Sequence, residues 1–120
     1  MPKAYPQGRR FEYLIRDLLN QAGIKAYRNF GSGGIGVYKG DLTTPNCPIH
    51  WELKHWNKWD MMGFYRQAQK DKPIGPQTIV IVVKSDRTEP FAFLDFDSFV
   101  SLLVYALSAG WPNLPLDNTY

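Results

Sequence analysis

The alternation of hydrophobic and polar positions predicts three helices and five strands. Apolar residues recur at helical spacing over 9–22 and 97–108, and the stretch 60–72 is predicted to form a further helix. Short apolar runs bounded by Gly, Pro and Asn predict strands at 24–30, 37–43, 49–55, 78–83 and 90–95. The order α-β-β-β-α-β-β-α indicates an α/β domain in which helices flank a mixed β-sheet.

Two segments carry specific expectations about burial. The run Thr78–Val83 is continuous and β-branched, which predicts a central strand buried on both faces. The apolar residues of the last helix are expected to face the core; they are Phe99, Val100, Leu102, Leu103, Ala106 and Leu107. We expect one domain over 1–120, with 1–8 as a flexible arm and 110–120 as an extended tail.

Composition narrows the setting in which the protein works. The chain has 120 residues and a formal net charge of +3, which suits a polyanionic partner without establishing one. The single cysteine, Cys47, leaves no internal disulfide and favours a reducing, cytoplasmic location. No apolar run resembles a signal peptide, and Phe99–Ala109 is too short to span a bilayer, so no membrane is expected.

The stretch from Asp41 to Lys54 carries the candidate chemistry. Alternate residues of a strand share a face, so Glu52 and Lys54 lie side by side while Trp51 and Leu53 point to the core. If 37–43 and 49–55 form a hairpin with its turn centred between residues 46 and 47, Asp41 lies opposite Glu52. A register shift of one residue would break that pairing.

Two carboxylates this close repel each other unless one is protonated or a cation bridges them. Mg²⁺ and Mn²⁺ prefer oxygen ligands, lower the pKa of bound water and stabilise charge on a phosphate. Lys54 would then orient the attacking water or stabilise the developing charge. The arrangement predicts phosphodiester hydrolysis. The alternative is a structural ion pair in which Lys54 neutralises the two acids.

The surroundings of these residues resemble the archaeal-type Holliday junction resolvases, a family of the PD-(D/E)xK nuclease superfamily. The resemblance is carried by G-R-R-F-E at 8–12, G-S-G-G at 31–34, G-D at 40–41 and W-E-L-K at 51–54. Gly40 stands where the superfamily name has a proline. The element order over residues 8 to about 95 is similar as well.

The resemblance implies a restriction-endonuclease-like fold and a homodimer that cuts branched DNA at four-way junctions. It implies a catalytic set of Glu12, Ser32, Asp41, Glu52 and Lys54. The metal, Mg²⁺ with Mn²⁺ as a substitute, would be held by Glu12, Asp41, Glu52 and the Leu53 backbone carbonyl. Alternatives are another nuclease of the superfamily, restriction-like or single-strand-specific, and a non-catalytic DNA-binding module of the same fold.

Helix phase supports one of these assignments independently. Glu12 falls at the edge of the apolar face of the first helix, from which it can reach a site near the core. Its alternative role is an ion pair with Arg16, one helical turn away.

Other residues are candidates for DNA contacts. Basic side chains near the first helix and strand predict phosphate contacts, and a glycine-rich loop allows close approach to a DNA backbone. The predicted DNA-binding set is Arg9, Arg10, Arg16, Lys25, Arg28, Ser32, Gly33 and Gly34. Gln67, Gln69 and His50 are further candidates to line the site.

Two other motifs are rejected, and one aromatic group is left open. The G-x-G-x-x-G match at 31–36 is followed by a predicted strand, whereas a dinucleotide site needs a helix there. One cysteine with irregularly spaced histidines is a poor match to a structural zinc site. The aromatic residues around the exit of the predicted hairpin either pack in the core or form a dimer interface; they are Trp51, Trp56, Trp59, Phe64 and Tyr65.

Overall fold

The computed structural model describes residues 7–29 and 40–113 and contains the predicted elements in the predicted order. They are α1 (Gln7–Gln21), β1 (Tyr27–Arg28), β2 (Leu42–Thr43), β3 (Ile49–His55), α2 (Met61–Asp71), β4 (Thr78–Lys84), β5 (Phe91–Phe93) and α3 (Phe96–Ser108). The expected α/β class with a mixed sheet flanked by helices is confirmed.

The main sheet has the strand order β3-β4-β5. β3 and β4 are parallel, with Glu52 beside Ile81, and β4 and β5 are antiparallel, with Val82 beside Ala92. Residues 79–83 of β4 are all buried. The prediction of a central strand buried on both faces is therefore confirmed.

Each face of this sheet is covered by one helix. On one face Phe11 and Ile15 of α1 pack against Trp51 and Leu53 of β3, as the strand alternation predicts. On the other face the buried residues come from α2 and β4; they are Phe64, Ala68, Ile79, Ile81 and Val83. Because both faces are occupied, His50 and Glu52 on the α2 side of β3 are buried as well.

The predicted hairpin between the second and third strands is wrong. β2 pairs antiparallel with β1 in a separate two-stranded sheet, with Leu42 beside Arg28. The connection to β3 instead closes as a tight turn, in which the Cys47 N–H donates to the Thr44 carbonyl oxygen. Pro45 and Pro48 have no N–H with which to continue a ladder across this turn.

The register of Asp41 is consequently one residue away from the predicted one. The Asp41 N–H donates to the Trp51 carbonyl oxygen at 2.9 Å, so Asp41 lies level with Trp51 and not with Glu52. The two carboxylates are still carried on adjacent segments. The predicted register fails because the turn is not symmetric about residues 46 and 47.

The expected inward face of the last helix is also wrong. No residue of α3 is buried, and Phe99, Val100, Leu102 and Leu107 are exposed. Leu103 and Ala106 are only half-buried. The physical reason is that α1 covers one face of β3 and β4 and α2 covers the other, so these strands are buried without a third helix.

Several boundaries differ from the expectations. Gln7 and Gly8 belong to α1 and not to an arm, while residues 1–6 and 114–120 lie outside the described part of the chain. The first two strands are reduced to two residues each. Of the aromatic group, Trp51 and Phe64 are buried in the core, whereas Trp56 and Trp59 are exposed.

Candidate active site

Asp41 is positioned by a set of backbone contacts at the edge of β3. Its N–H donates to Trp51, and its carbonyl oxygen accepts the Asn29 N–H at 3.2 Å. The Asn29 side chain donates to the Gly40 carbonyl oxygen at 3.1 Å and accepts a hydrogen bond from the Thr43 hydroxyl. Asn29 thus clamps the chain on both sides of Asp41. Nothing in its sequence context singles it out.

The Asp41 carboxylate is held against β3. Its Oδ2 accepts the Leu53 N–H at 2.7 Å. Burial raises the pKa of this carboxyl from 3.8 to about 7; the Leu53 hydrogen bond opposes the rise, and the charges of Glu52 and Glu12 add to it. Lys54 lowers the pKa of the same group. The charges of Glu12, Glu52 and Lys54 therefore all act on the Asp41 carboxyl.

Glu52 lies on the α2 side of β3 and is only 7% exposed. Its Oε1 is 2.9 Å from Nε2 of His50, which is itself 2% exposed. The two residues are neighbours on one face of the strand, as the alternation predicts. His50 was only a candidate to line the site, and the structure puts it in direct contact with Glu52.

Glu12 and Arg28 form an ion pair that joins α1 to β1. The Arg28 Nε lies 2.5 Å from Glu12 Oε1, and the Arg28 side chain is 16% exposed. This contact raises the pKa of the Arg28 guanidinium. The alternative partner of Glu12, Arg16, instead pairs with Asp17 at 2.7 Å. Arg28 was predicted to contact DNA, and here it holds a site carboxylate.

Lys54 is half-buried at the end of β3 between two aromatic rings. Its Nζ lies 5.5 Å from the centre of the Phe64 ring and 5.7 Å from that of Trp56. Aromatic faces attract an ammonium group at such distances. The rings therefore restrict the lysine on the same face of the strand as Glu52.

Two of the three acids, Asp41 and Glu52, are candidate ligands for a hard divalent cation. Three neighbouring acids with one lysine are costly to ionise together, and carboxylate oxygens are the ligands that Mg²⁺ and Mn²⁺ prefer. Within residues 7–29 and 40–113, no group of three or more His, Cys, Asp and Glu side chains converges as a complete ligand cage. Asp41 and Glu52 are oxygen donors of the type that such an ion takes, while Glu12 is engaged by Arg28.

The Leu53 carbonyl lies on the same edge of the strand as Asp41. In an extended strand the N–H and C=O of one residue point to the same side. The Leu53 N–H points to the Asp41 carboxylate. Its carbonyl oxygen is therefore directed to this edge, and its role as a backbone ligand stays a prediction.

The remaining candidates fall in different places. Gln67 is exposed and donates to Asp71, and Gln69 is exposed beside a surface cavity with Tyr65 and Lys72. Among the described residues no contact joins either glutamine to the carboxylates. Arg9, Arg10 and Lys25 are exposed on or after α1. Ser32, Gly33 and Gly34 lie outside the described residues.

Comparison with known proteins gives one structural likeness. No family model matches the chain, and no curated protein matches it. The fold is similar to that of Hjc from Archaeoglobus fulgidus, described as a Holliday junction resolvase from an archaeal hyperthermophile. The identity is 19%, the match covers 72% of this chain and 76% of that chain, and the TM-score is 0.49. The likeness concerns the fold alone.

The described helices also bear on the expectation about membranes. None of them combines the length and the apolar character needed to cross a bilayer.

Proposed function

We propose that this protein is a metal-dependent endonuclease that hydrolyses phosphodiester bonds in branched DNA, with four-way junctions as its substrate. The observation that carries the proposal is the buried Asp41 carboxyl, whose pKa is about 7, beside Glu52 and Lys54 at the edge of β3. Burying acids together is unfavourable unless a cation is bound there in the working state. The Asp-Glu-x-Lys resemblance then indicates phosphodiester chemistry.

Each residue has a defined part in this proposal. Asp41, Glu52 and the Leu53 carbonyl would hold Mg²⁺, with Mn²⁺ able to replace it, and Glu12 would complete the set after release from Arg28. The bound ion would lower the pKa of water and stabilise charge on the phosphate. The Lys54 ammonium, restricted by Phe64 and Trp56, would orient the attacking water and stabilise the developing charge.

DNA binding would use the basic surface of α1 and the loop that follows it. Arg9, Arg10 and Lys25 are exposed there and would contact phosphates without reading sequence. Arg16 would join them from its pair with Asp17. Ser32, Gly33 and Gly34 remain predicted backbone contacts, as do Gln67 and Gln69 as lining residues. A cytoplasmic location remains a prediction from composition.

The proposed homodimer would form through α3. This helix is apolar around much of its circumference, yet no residue of it is buried, and Tyr105 is 77% exposed. Contiguous apolar surface of this kind marks protein contacts. The helix contains no lysine or arginine, which argues against DNA as the partner. A symmetric pair of α3 helices would place two cutting sites on one junction.

The dimer is tested by solution mass. Leu102 is 51% exposed in the isolated chain. Leu102→Glu should therefore leave the fold intact and produce a monomer. Ser101→Glu on the same helix, also exposed, is the matched control. A wild-type protein that is monomeric at all concentrations would refute the α3 interface.

The function is tested by a panel of DNA substrates in Mg²⁺. A four-way junction, a linear duplex and a single strand of matched sequence are compared at equal concentration. We expect the junction to be cut fastest, with paired cuts, and cutting to stop when EDTA is added. Preferred cutting of a linear duplex or a single strand would identify another nuclease of the superfamily. Junction binding with no cleavage in Mg²⁺ or Mn²⁺ would identify a non-catalytic module.

A further inference from the structure

His50 is a buried polar residue that the proposed reaction does not itself require. It is 2% exposed, and its Nε2 lies 2.9 Å from Oε1 of Glu52. We propose that His50 is a positioning residue that fixes the Glu52 carboxylate, so that its other oxygen is presented to the metal. This inference rests on the proposed function, because it concerns the same site.

The hydrogen bond restricts the rotation of the Glu52 carboxylate. A carboxylate can only accept hydrogen bonds, so the His50 Nε2 is the donor and Oε1 is the fixed acceptor. His50 and Glu52 are next neighbours on one face of β3, and the imidazole ring spans the gap between them. Oε2 is the oxygen that the ring leaves available. Metal-binding side chains are commonly oriented by such partners.

The opposite side of the same ring faces the segment that carries Asp41. At Gly40 an added Cβ would lie 3.1 Å from Cε1 and 3.3 Å from Nδ1 of His50, and 2.9 Å from the Trp51 carbonyl oxygen. The backbone of Gly40 has φ +89°, which also disfavours any side chain. The ring is therefore packed between the Glu52 carboxylate and the residue preceding Asp41.

This packing also explains a departure in the sequence. A proline at position 40, as in the superfamily name, would need φ near −65° and would carry a Cβ into the Trp51 carbonyl and the imidazole ring. Gly40 and His50 therefore belong together.

The unpaired nitrogen of His50 favours a site role over a purely structural one. Within the described residues Nδ1 is buried and has no hydrogen-bond partner. A buried polar atom without a partner costs free energy, so an apolar residue would suit the fold better here. The neighbouring β4 has Ile79 at the equivalent level. The hydrogen bond to Glu52 gives histidine a role at this position that an apolar residue lacks.

The test compares three variants of the full chain. His50→Leu removes the donor and keeps an apolar side chain, His50→Gln keeps an N–H donor of similar reach, and His55→Leu removes the other histidine of β3. His55 lies beside Phe11 and Asp86 and is not part of the proposed site. Two quantities are measured: Mn²⁺ affinity by calorimetry, and the Mg²⁺ concentration that gives half-maximal junction cleavage.

We expect His50→Leu to weaken Mn²⁺ binding and to raise the half-maximal Mg²⁺ concentration by about 10- to 100-fold. His50→Gln should recover most of this loss, and His55→Leu should change neither quantity. If His50→Leu does not fold, His50→Gln against the shorter His50→Asn provides the same comparison, with Asn expected to lose metal affinity.

Two different failures can be told apart. Equal Mn²⁺ affinity for wild type and His50→Leu, or for His50→Gln and His50→Asn, would refute the positioning role while leaving the nuclease intact. A lowered melting temperature with unchanged metal affinity would likewise show a structural role only. If the wild type neither binds Mn²⁺ nor cleaves DNA, the proposed function itself fails and this inference falls with it.

Discussion

β3 and β4 lie side by side in register, and at the same level of the sheet they bury opposite kinds of side chain. His50 is beside Ile79 and Glu52 is beside Ile81, and all four residues are buried. β4 is a run of branched apolar residues between two helices, the composition that close packing favours. β3 has an acid and an imidazole in the same environment. This costs stability, and the proposed metal site is the reason for it.

The comparison is sharpest between Glu52 and Ile81, which are neighbours in the sheet. We expect Glu52→Gln to reduce junction cleavage by roughly 10³-fold or more, because the proposed metal loses a charged ligand. The free energy of unfolding of the metal-free protein should stay the same or rise, since repulsion with Asp41 is removed. Cleavage rate and urea unfolding measure the two effects. Retention of near wild-type cleavage would break the distinction between the strands.

Ile81→Ala should give the opposite pattern. Ile81 is 0% exposed, and removing its buried methyl and methylene groups should lower the free energy of unfolding by about 2–5 kcal/mol. Cleavage per folded molecule should change little, because Ile81 carries no chemistry. Urea unfolding is measured beside cleavage at a temperature where the variant remains folded. A large loss of specific activity without loss of stability would contradict the assignment of β4 to packing.

Gly40→Ala tests how tightly the Asp41 segment is packed on β3. The new Cβ would lie 2.9 Å from the Trp51 carbonyl oxygen, on backbone with φ +89°. We expect a loss of about 1–3 kcal/mol in the free energy of unfolding, from strain at a positive φ. Gly23→Ala is the matched control, because Gly23 has φ +88° with no atom near its Cβ position. Only Gly40→Ala should also weaken Mn²⁺ binding; equal effects of both variants on the metal would contradict this.

The pKa of Asp41 gives a pH dependence with a definite sign. Since its pKa is raised from 3.8 to about 7, the metal-free folded state binds the extra proton between these values, and its stability should fall as pH rises from about 4 to about 7. A metal must displace that proton, so Mn²⁺ affinity should rise with pH, by up to about tenfold per unit, and level off above pH 7. Calorimetry at several pH values checks this. An affinity independent of pH would show that Asp41 is not the ligand.

The sequence predicts the order of the helices and strands correctly, but it does not predict which strand β2 pairs with. Periodicity identifies α1 and β4, and strand alternation correctly assigns Trp51 and Leu53 to the core, because these patterns are local. The partner of β2 and the register of Asp41 depend on a turn with two prolines, which no local pattern determines. The exposure of α3 depends on what already covers the sheet, and that is a property of the whole fold.

The site shows the same division. Motif spacing predicts Asp41, Glu52 and Lys54 as a site because spacing can be read along the chain. The contacts that hold the acids cannot be read from the spacing. Arg28 contacts Glu12 across a sequence separation of sixteen residues, and Asn29 contacts Gly40 across a separation of eleven. His50 was within reach of sequence reasoning, because it shares a strand face with Glu52. Only the structure shows the contact of 2.9 Å between its Nε2 and Oε1 of that acid.

Asp41→Asn tests the central claim most directly, with junction cleavage and junction binding measured on the same protein in Mg²⁺. The substitution keeps the side-chain shape and an oxygen to accept the Leu53 N–H, and it removes the charge. We expect cleavage to be abolished and junction affinity to stay close to that of the wild type. Unchanged cleavage by Asp41→Asn would contradict a metal-dependent site built on Asp41, Glu52 and Lys54.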